Sequence, residues 1–477
     1  MYSKKDVLKI FCFIVALAAM MHVTDGIGFA LIIPIALYAL LIRDPIKVMF
    51  CVMMCTVMLM TNSHLATHSA PFAIMQRTLL MLLGFVSMVQ MFGQRINSIV
   101  RCFLIMYLYV AFMIIPSITG WNPKISFLKL FLFSLIYCSY VGVANNVALQ
   151  QSRDASKKLR AIMLAICVWF IFGSVILIPF PSISQMQAEE FLLNPEITSL
   201  FTGMCGHSQA LGPLISSVAV FLLSDLLFSI KRFDKFYVMM LMLCPYLIYL
   251  TSSRTGMGAF ILGIGFVVWV FMNAQGVGIR WKRHVMNWVF WVIVMLSISV
   301  LALPRVQKGI ARFAVKWSDT TDVTVEEIVK SRQGKVDEMI ENFKEKPLFG
   351  NGFQVSYSQQ FITEKGLLLS APMEKGVWYA AVLEEGGVVG FVIFTTFLFA
   401  AIFGSIKRRA YVTASCLFVN MLTNLGEFTF FSMSYIGGFL WSIVFLGVAV
   451  DAQRIKDQGR FAGGNQFYDA FSYNTGI

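Results

Sequence analysis

The chain has 477 residues, 58% of them apolar and 13% charged, with a formal net charge of +13. That composition excludes an ordinary soluble domain and describes a polytopic membrane protein. The basic residues fall in short clusters between apolar runs, so the positive charge reports topology and not a nucleic-acid surface.

Runs near the ~20 apolar residues that cross a bilayer recur along the whole chain. They cover 7–22, 26–42, 46–62, 72–93, 99–118, 126–148, 161–180, 211–229, 236–252, 255–274, 286–303, 376–404, 411–425 and 431–450. The prediction is an all-α polytopic membrane protein of about 14 transmembrane helices, with one large external helical loop between spans 11 and 12. It divides into N-terminal spans (1–303), the external loop (304–375), C-terminal spans (376–450) and a polar tail (451–477) expected to be disordered. The first run is flanked by Lys4, Lys5 and Lys9 and has no small-residue cleavage site, so it reads as a retained span.

Orientation follows from the basic residues. With the N-terminus inside, 23 of the 38 Lys and Arg residues fall in cytoplasmic segments. The short external segments hold only Arg77, Lys124, Lys129 and Arg254. This bias places both termini in the cytoplasm and the 304–375 loop outside. Eight of the nine cysteines lie in or beside apolar runs; Cys205 alone falls in an external loop, so neither a disulfide framework nor a CxxC metal site is indicated.

Several residues break the local pattern. His64 and His68 stand four apart, a metal-ligand spacing if helical, but no third ligand accompanies them. Arg77 sits at the external end of span four. His207 lies in the first long external region, 181–212. Arg254, in Thr251-Ser252-Ser253-Arg254-Thr255-Gly256, is held at the membrane boundary with almost no loop to spare. A charge there either snorkels to lipid phosphate or faces a wet interior.

In the large loop, Ile310, Phe313, Ala314 and Trp317 make one face of an interfacial stretch whose Lys308, Arg312 and Lys316 meet head groups. Thr324-Val325-Glu326-Glu327 then forms a capping box. In the helix that follows, the periodicity of Val325, Ile328, Val329, Val336, Met339, Ile340 and Phe343 sets Arg332 on the apolar face. A guanidinium there needs an acidic neighbour or an anionic ligand. Glu374 and Lys375 precede the re-entering span. A partly buried Glu374 can serve as a general base, and the plainer reading is a solvated pair marking the span end. Glu384 and Glu385 fall inside that span, so at least one should be paired, with Arg254 or Lys375 as candidates.

The order of Gly206-His207-Ser208-Gln209-Ala210-Leu211-Gly212, Ser252-Ser253-Arg254-Thr255-Gly256, Ser331-Arg332, Pro347-Leu348-Phe349-Gly350-Asn351-Gly352-Phe353 and Leu383-Glu384-Glu385-Gly386-Gly387-Val388-Val389-Gly390 resembles the O-antigen ligase and Wzy-type polysaccharide polymerase superfamily. The resemblance spans roughly residues 200–400. It implies a metal-independent, inverting GT-C-like glycosyltransferase without a cofactor, at the outer face of the bacterial inner membrane. The implied donor is a glycan on undecaprenyl diphosphate and the acceptor another lipid-linked glycan or the lipid A core. Membrane lipids surround it, and a chain-length regulator and a flippase are implied partners. Arg254 and Arg332 match the cations that hold the diphosphate, and Arg77, by its position at the external end of span four, is a third candidate for the same role. Glu374, or else His207, takes the role of base.

One departure bears on the choice within the superfamily. Where its ligases carry a His-Asn pair ahead of the closing glycines, this chain reads Glu374-Lys375-Gly376-Val377, and no His occurs in the long loop. That favours a polymerase over a lipid A-core ligase. From a different class, a secondary transporter or lipid-linked glycan flippase carries its charges near the midplane in repeated halves, whereas here they gather at one face.

Overall fold

The computed structural model describes residues 2–150, 154–186, 200–229, 234–251, 253–274, 325–355, 376–426, 428–432 and 436–461. The expected span 286–303, the interfacial stretch 304–324 and Glu374 lie outside the described residues. What is described is almost wholly helical: α1 (Lys4–Val23), α2 (Ile27–Leu41, opening with a 3₁₀ turn), α3 (Pro45–Met60), α4 (Ala70–Met91), α5 (Ser98–Thr119), α6 (Pro123–Leu149), α7 (Ala155–Leu177), α8 (Ser208–Phe228), α9 (Lys235–Leu250), α10 (Arg254–Asn273), α11 (Val325–Glu345), α12 (Trp378–Lys407), α13 (Tyr411–Thr423) and α14 (Ile436–Phe461). Among them nine are long and apolar enough to cross a membrane, and α2, α3, α9 and α13 are shorter apolar helices. A two-residue antiparallel pair, Gln185–Met186 with Leu200–Phe201, is the only sheet among the described residues.

Local chemistry sets the helix starts. Ser3, Asp44, Ser69, Asp234 and Ser253 each accept from a backbone N–H in the first turn, and Pro45 and Pro123 occupy first-turn positions where no N–H is needed. α11 begins at Val325, the residue after Thr324.

The centre of the bundle is α14, which is buried throughout from Ile436 to Arg454. It packs on α3, α6, α7, α8 and α13. Trp441 and Phe445 of α14 close against Tyr137 of α6, and Phe103 also meets Phe445. α14 runs to Phe461, past the span end expected at 450. Asp451 is buried and pairs with Arg454 at 2.9 Å, which keeps that segment in the helix.

The two ends of the bundle are distinct. At the loop end, backbone contacts tie the α3–α4 turn to Ile183, Gly203 and Met204, and tie the α5–α6 turn and the start of α12 to residues 346–352. The opposite, basic end carries Arg43, Arg95, Arg101, Arg409 and Arg454.

Candidate functional site

α12 is broken where Leu383-Glu384-Glu385-Gly386-Gly387 enters the bundle. Gly387 has φ +62° and ψ −167°, a conformation essentially confined to glycine. In an unbroken helix Val388 and Val389 would donate to the carbonyls of Glu384 and Glu385. Instead they donate to Pro347 (2.8 Å) and Leu348 (3.3 Å), while the carbonyls of Glu384 and Glu385 accept from Asn351 N (2.9 Å) and Gly352 N (3.1 Å). The loop is thus spliced into the helix, and each main-chain group freed by the break finds a partner, as a membrane-embedded helix requires. A Cβ on Gly387 would strike the Leu348 carbonyl, and one on Gly350, itself at φ +75°, would strike that of Glu385. The glycines of the two motifs serve one joint.

Asn351, fully buried, is the pin of this joint. Its carbonyl accepts from Trp121 N (2.8 Å) and its Nδ2 donates to the Asn342 carbonyl (2.7 Å). Asn342 Nδ2 in turn donates to Glu384 Oε1 at 2.8 Å, tying α11 to a carboxylate that is 1% exposed. Phe353 N donates to Ser126 Oγ, and the Phe353 ring packs between Phe133 and Phe431. Leu348 and Phe349 remain exposed at the lip of the loop.

A second arrangement lies at the starts of α8 and α10. His207 caps α8, its Nδ1 accepting from Gln209 N at 3.1 Å. Ser253 caps α10, which puts Arg254 at the first helical position, half-buried. The two helices touch through Gly212 and Gly256, and Ser216 Oγ bridges the carbonyls of both. The turn after α13 then connects this pair to α12. Gly426 lies hard against Thr255, Trp378 N donates to the Asn424 carbonyl (3.0 Å), and Asn424 Oδ1 accepts from Thr429 N and Phe430 N. The start of α10, which carries Arg254, and the start of α12 therefore meet one short turn.

The predicted residues fall as follows. Arg254 and His207 open adjacent helices at the loop end. Arg332 lies in α11 one and two turns ahead of Val336 and Met339, the latter buried; its side chain is outside the described set. α11 packs on α12. Glu374 stands two positions before Gly376 in the chain. Arg77 is half-buried on α4, whose main partners are α6 and α2. His64 and His68 lie in a turn and not on a helix. His64 N donates to Asn62 Oδ1, and His68 Nε2 is 2.9 Å from the Met58 carbonyl, so the helical spacing that would pair them does not arise. For Glu384 the structure supplies Asn342, a partner that the charge pattern of the sequence does not single out. Asn342, Asn351, Trp121 and Asn424 all escape sequence reasoning; the one signal for them is an asparagine between two glycines at 350–352.

Residues 237–395 match the family model described as O-Antigen ligase. The match runs from α9 through Arg254, Arg332, the spliced loop and the break in α12, and ends at Thr395. A comparison with curated proteins gives no match. Fold and site together define a multi-pass membrane protein built around a broken helix and the loop spliced into it. The match over residues 237–395 supports the O-antigen ligase and Wzy superfamily, and with it a membrane function of ligating or polymerising glycans.

Proposed function

We propose that this protein is an inner-membrane polysaccharide polymerase that transfers glycan from an undecaprenyl-diphosphate carrier to a hydroxyl of an acceptor glycan at the periplasmic face. The observation that carries this reading is the meeting of the α10 start, the 424–426 turn and the α12 start, which gathers Arg254 and the segment after Glu374 at one end of the bundle. Arg254 and Arg332 hold the diphosphate, with Arg77 as a further cation for the carrier. A guanidinium at the first turn of a helix adds its charge to the positive helix end, and both favour a phosphate.

In the reaction the acceptor oxygen attacks the anomeric carbon opposite the leaving group. The C–O bond to the diphosphate breaks, configuration inverts, and the hydroxyl proton passes to Glu374. Charge grows on the diphosphate as it leaves, where the arginines stabilise it most. His207 is the second candidate for base. With Nδ1 accepting the cap bond, a neutral ring carries its proton on Nε2 and is a donor there, which favours Glu374 for the proton and His207 for orienting a sugar hydroxyl.

Arg254→Ala and Arg332→Ala, made singly, abolish long-chain polymer at normal protein levels. Wild-type chain lengths in both would remove the assignment. The second reading, a glycan ligase, is favoured by the description of the matched family. A deletion strain separates the two: a polymerase leaves a single lipid-linked repeat, and a ligase leaves finished polymer on its carrier. A flippase would move lipid-linked sugar between leaflets of proteoliposomes without a new glycosidic bond.

A further inference from the structure

At the basic end, away from the proposed active site, a cavity of about 710 Å³ opens between the α2–α3 corner and the ends of α4 and α6. Its polar lining is Arg43, Ser87, Gln90, Gln94, Arg95, Asn146 and Gln150; aliphatic side chains complete the wall, and among the described residues no acidic one lines it. Arg43 is held at φ +52°, a strained value for a side-chain-bearing residue, in a turn closed by Arg43 N to the Leu40 carbonyl and Asp44 N to the Ala39 carbonyl. The nearby carboxylate, Asp44, is engaged by Ile46 N, Lys47 N and Lys47 Nζ.

The opposite wall offers acceptors. Asn146 Nδ2 donates to Gln90 Oε1 at 2.9 Å, which leaves Asn146 Oδ1 buried without a donor, and Gln150 Oε1 is buried in the same state. Buried carbonyl oxygens ask for donors. One cavity thus combines two guanidinium groups, which want an anion, with two amide oxygens, which want hydroxyl or ammonium hydrogens.

We propose that this cavity binds the head group of an anionic glycerophospholipid from the leaflet at the basic end. The phosphodiester sits between Arg43 and Arg95, and head-group hydroxyls donate to Asn146 and Gln150. Basic pockets between transmembrane helices at the cytoplasmic surface recognise lipid head groups in this way. The Gln150 carbonyl also accepts from Gln453 Nε2 (3.0 Å) and Lys456 Nζ (3.2 Å) of α14, so the bound lipid rests on the joint between α6 and the central helix.

Native mass spectrometry of the full chain in detergent tests this with three probes: dioctanoyl phosphatidylglycerol, dioctanoyl phosphatidylcholine and glycerol 3-phosphate. One phosphatidylglycerol should bind on the order of tenfold more tightly than phosphatidylcholine, and Arg43→Gln/Arg95→Gln should erase the preference. Gln94→Glu, a change at an exposed lining position, should weaken phosphatidylglycerol binding about as much by placing a carboxylate beside the phosphate. This single variant decides the question alone if the double variant melts early. Equal binding of the two lipids, or preference kept in Gln94→Glu, overturns the proposal. Glycerol 3-phosphate displacing the lipid as well as phosphatidylglycerol does assigns the cavity to a soluble phosphate ester and overturns the lipid.

Discussion

At the basic end, Arg160 on α7 donates from Nε to both oxygens of Asp225 on α8 (3.1 and 2.9 Å), and Tyr237 on α9 donates to the same carboxylate at 2.9 Å. Nearby, Asp451 accepts from Thr413 N and Oγ1 and pairs with Arg454, which reaches the carbonyls of Arg409 and Phe228. At the loop end the fastening is main chain: four backbone hydrogen bonds splice 347–352 into the break of α12. A side-chain clamp consumes the charges that make it. A backbone splice draws on no side-chain charge at all. The end assembled from glycine and amide geometry is the end where the proposed chemistry lies.

The sharpest way to break this contrast is to unclamp the basic end. Asp225→Ala leaves Arg160 buried with its ion pair gone, and only Ser156 and the field of Asp457 remain to answer the charge. Breaking a buried pair in this way costs roughly 3–5 kcal/mol. The protein should melt far earlier in detergent and accumulate poorly, while each folded molecule polymerises normally. Arg160→Met/Asp225→Leu should recover much of the loss, since it removes the charge along with its partner. If the single variant melts like wild type, the ion pair does not hold these helices.

Gly387→Ala attacks the other end, with the next largest effect. The position needs a left-handed φ, and the new methyl meets Leu348, so strain of about 1–3 kcal/mol is expected from the backbone alone. Here the order reverses: polymer is lost while the membrane still contains protein. Gly350→Ala should behave alike, because it strikes the same joint from the loop side. Full polymer length in both variants would separate the splice from the activity.

The spans were legible because an apolar run in lipid can only be a helix, and the described helices follow the predicted runs to within a few residues at most ends. The exceptions are instructive. α7 begins at Ala155 and not near 161 because Arg160 and Ser156, which read as a polar flank, are buried beside Asp225. α14 overruns for the corresponding reason at Asp451 and Arg454. Arg254 could be marked as unusual from its position alone. The splice could not be read, since it joins residues 33 to 41 positions apart through main-chain groups that any residue carries; only the glycines at 350, 352 and 387 leave a trace. A cation is the natural partner to expect for Glu384 because charge is visible in a sequence, and the amide of Asn342 is not distinctive there.

Asn342→Ala sharpens the comparison at smaller scale. It removes the donor to Glu384 Oε1 inside a buried site, a loss of about 1–3 kcal/mol where a carboxylate is the acceptor. The expected result is a several-fold drop in polymerisation with modest loss of stability. Asn342→Asp should be worse than Ala, since two carboxylates then face each other. If Asp equals or exceeds Ala in activity, the contact between α11 and α12 has been misread.

The smallest effect concerns pH at the loop end, outside the spans. Burial of His68 against Phe72 holds its imidazole below the usual histidine range, opposed in part by the contact with the Met58 carbonyl. A lowered folded-state pKa means the unfolded chain takes up the proton first. Stability is therefore complete above about pH 6.5, the ordinary histidine value, and declines as pH falls from there through the folded pKa. Melting temperatures of the purified protein between pH 7.5 and 5 should fall more steeply for wild type than for His68→Gln, which has no imidazole to charge. Identical slopes in the two proteins would take the acid sensitivity away from this turn.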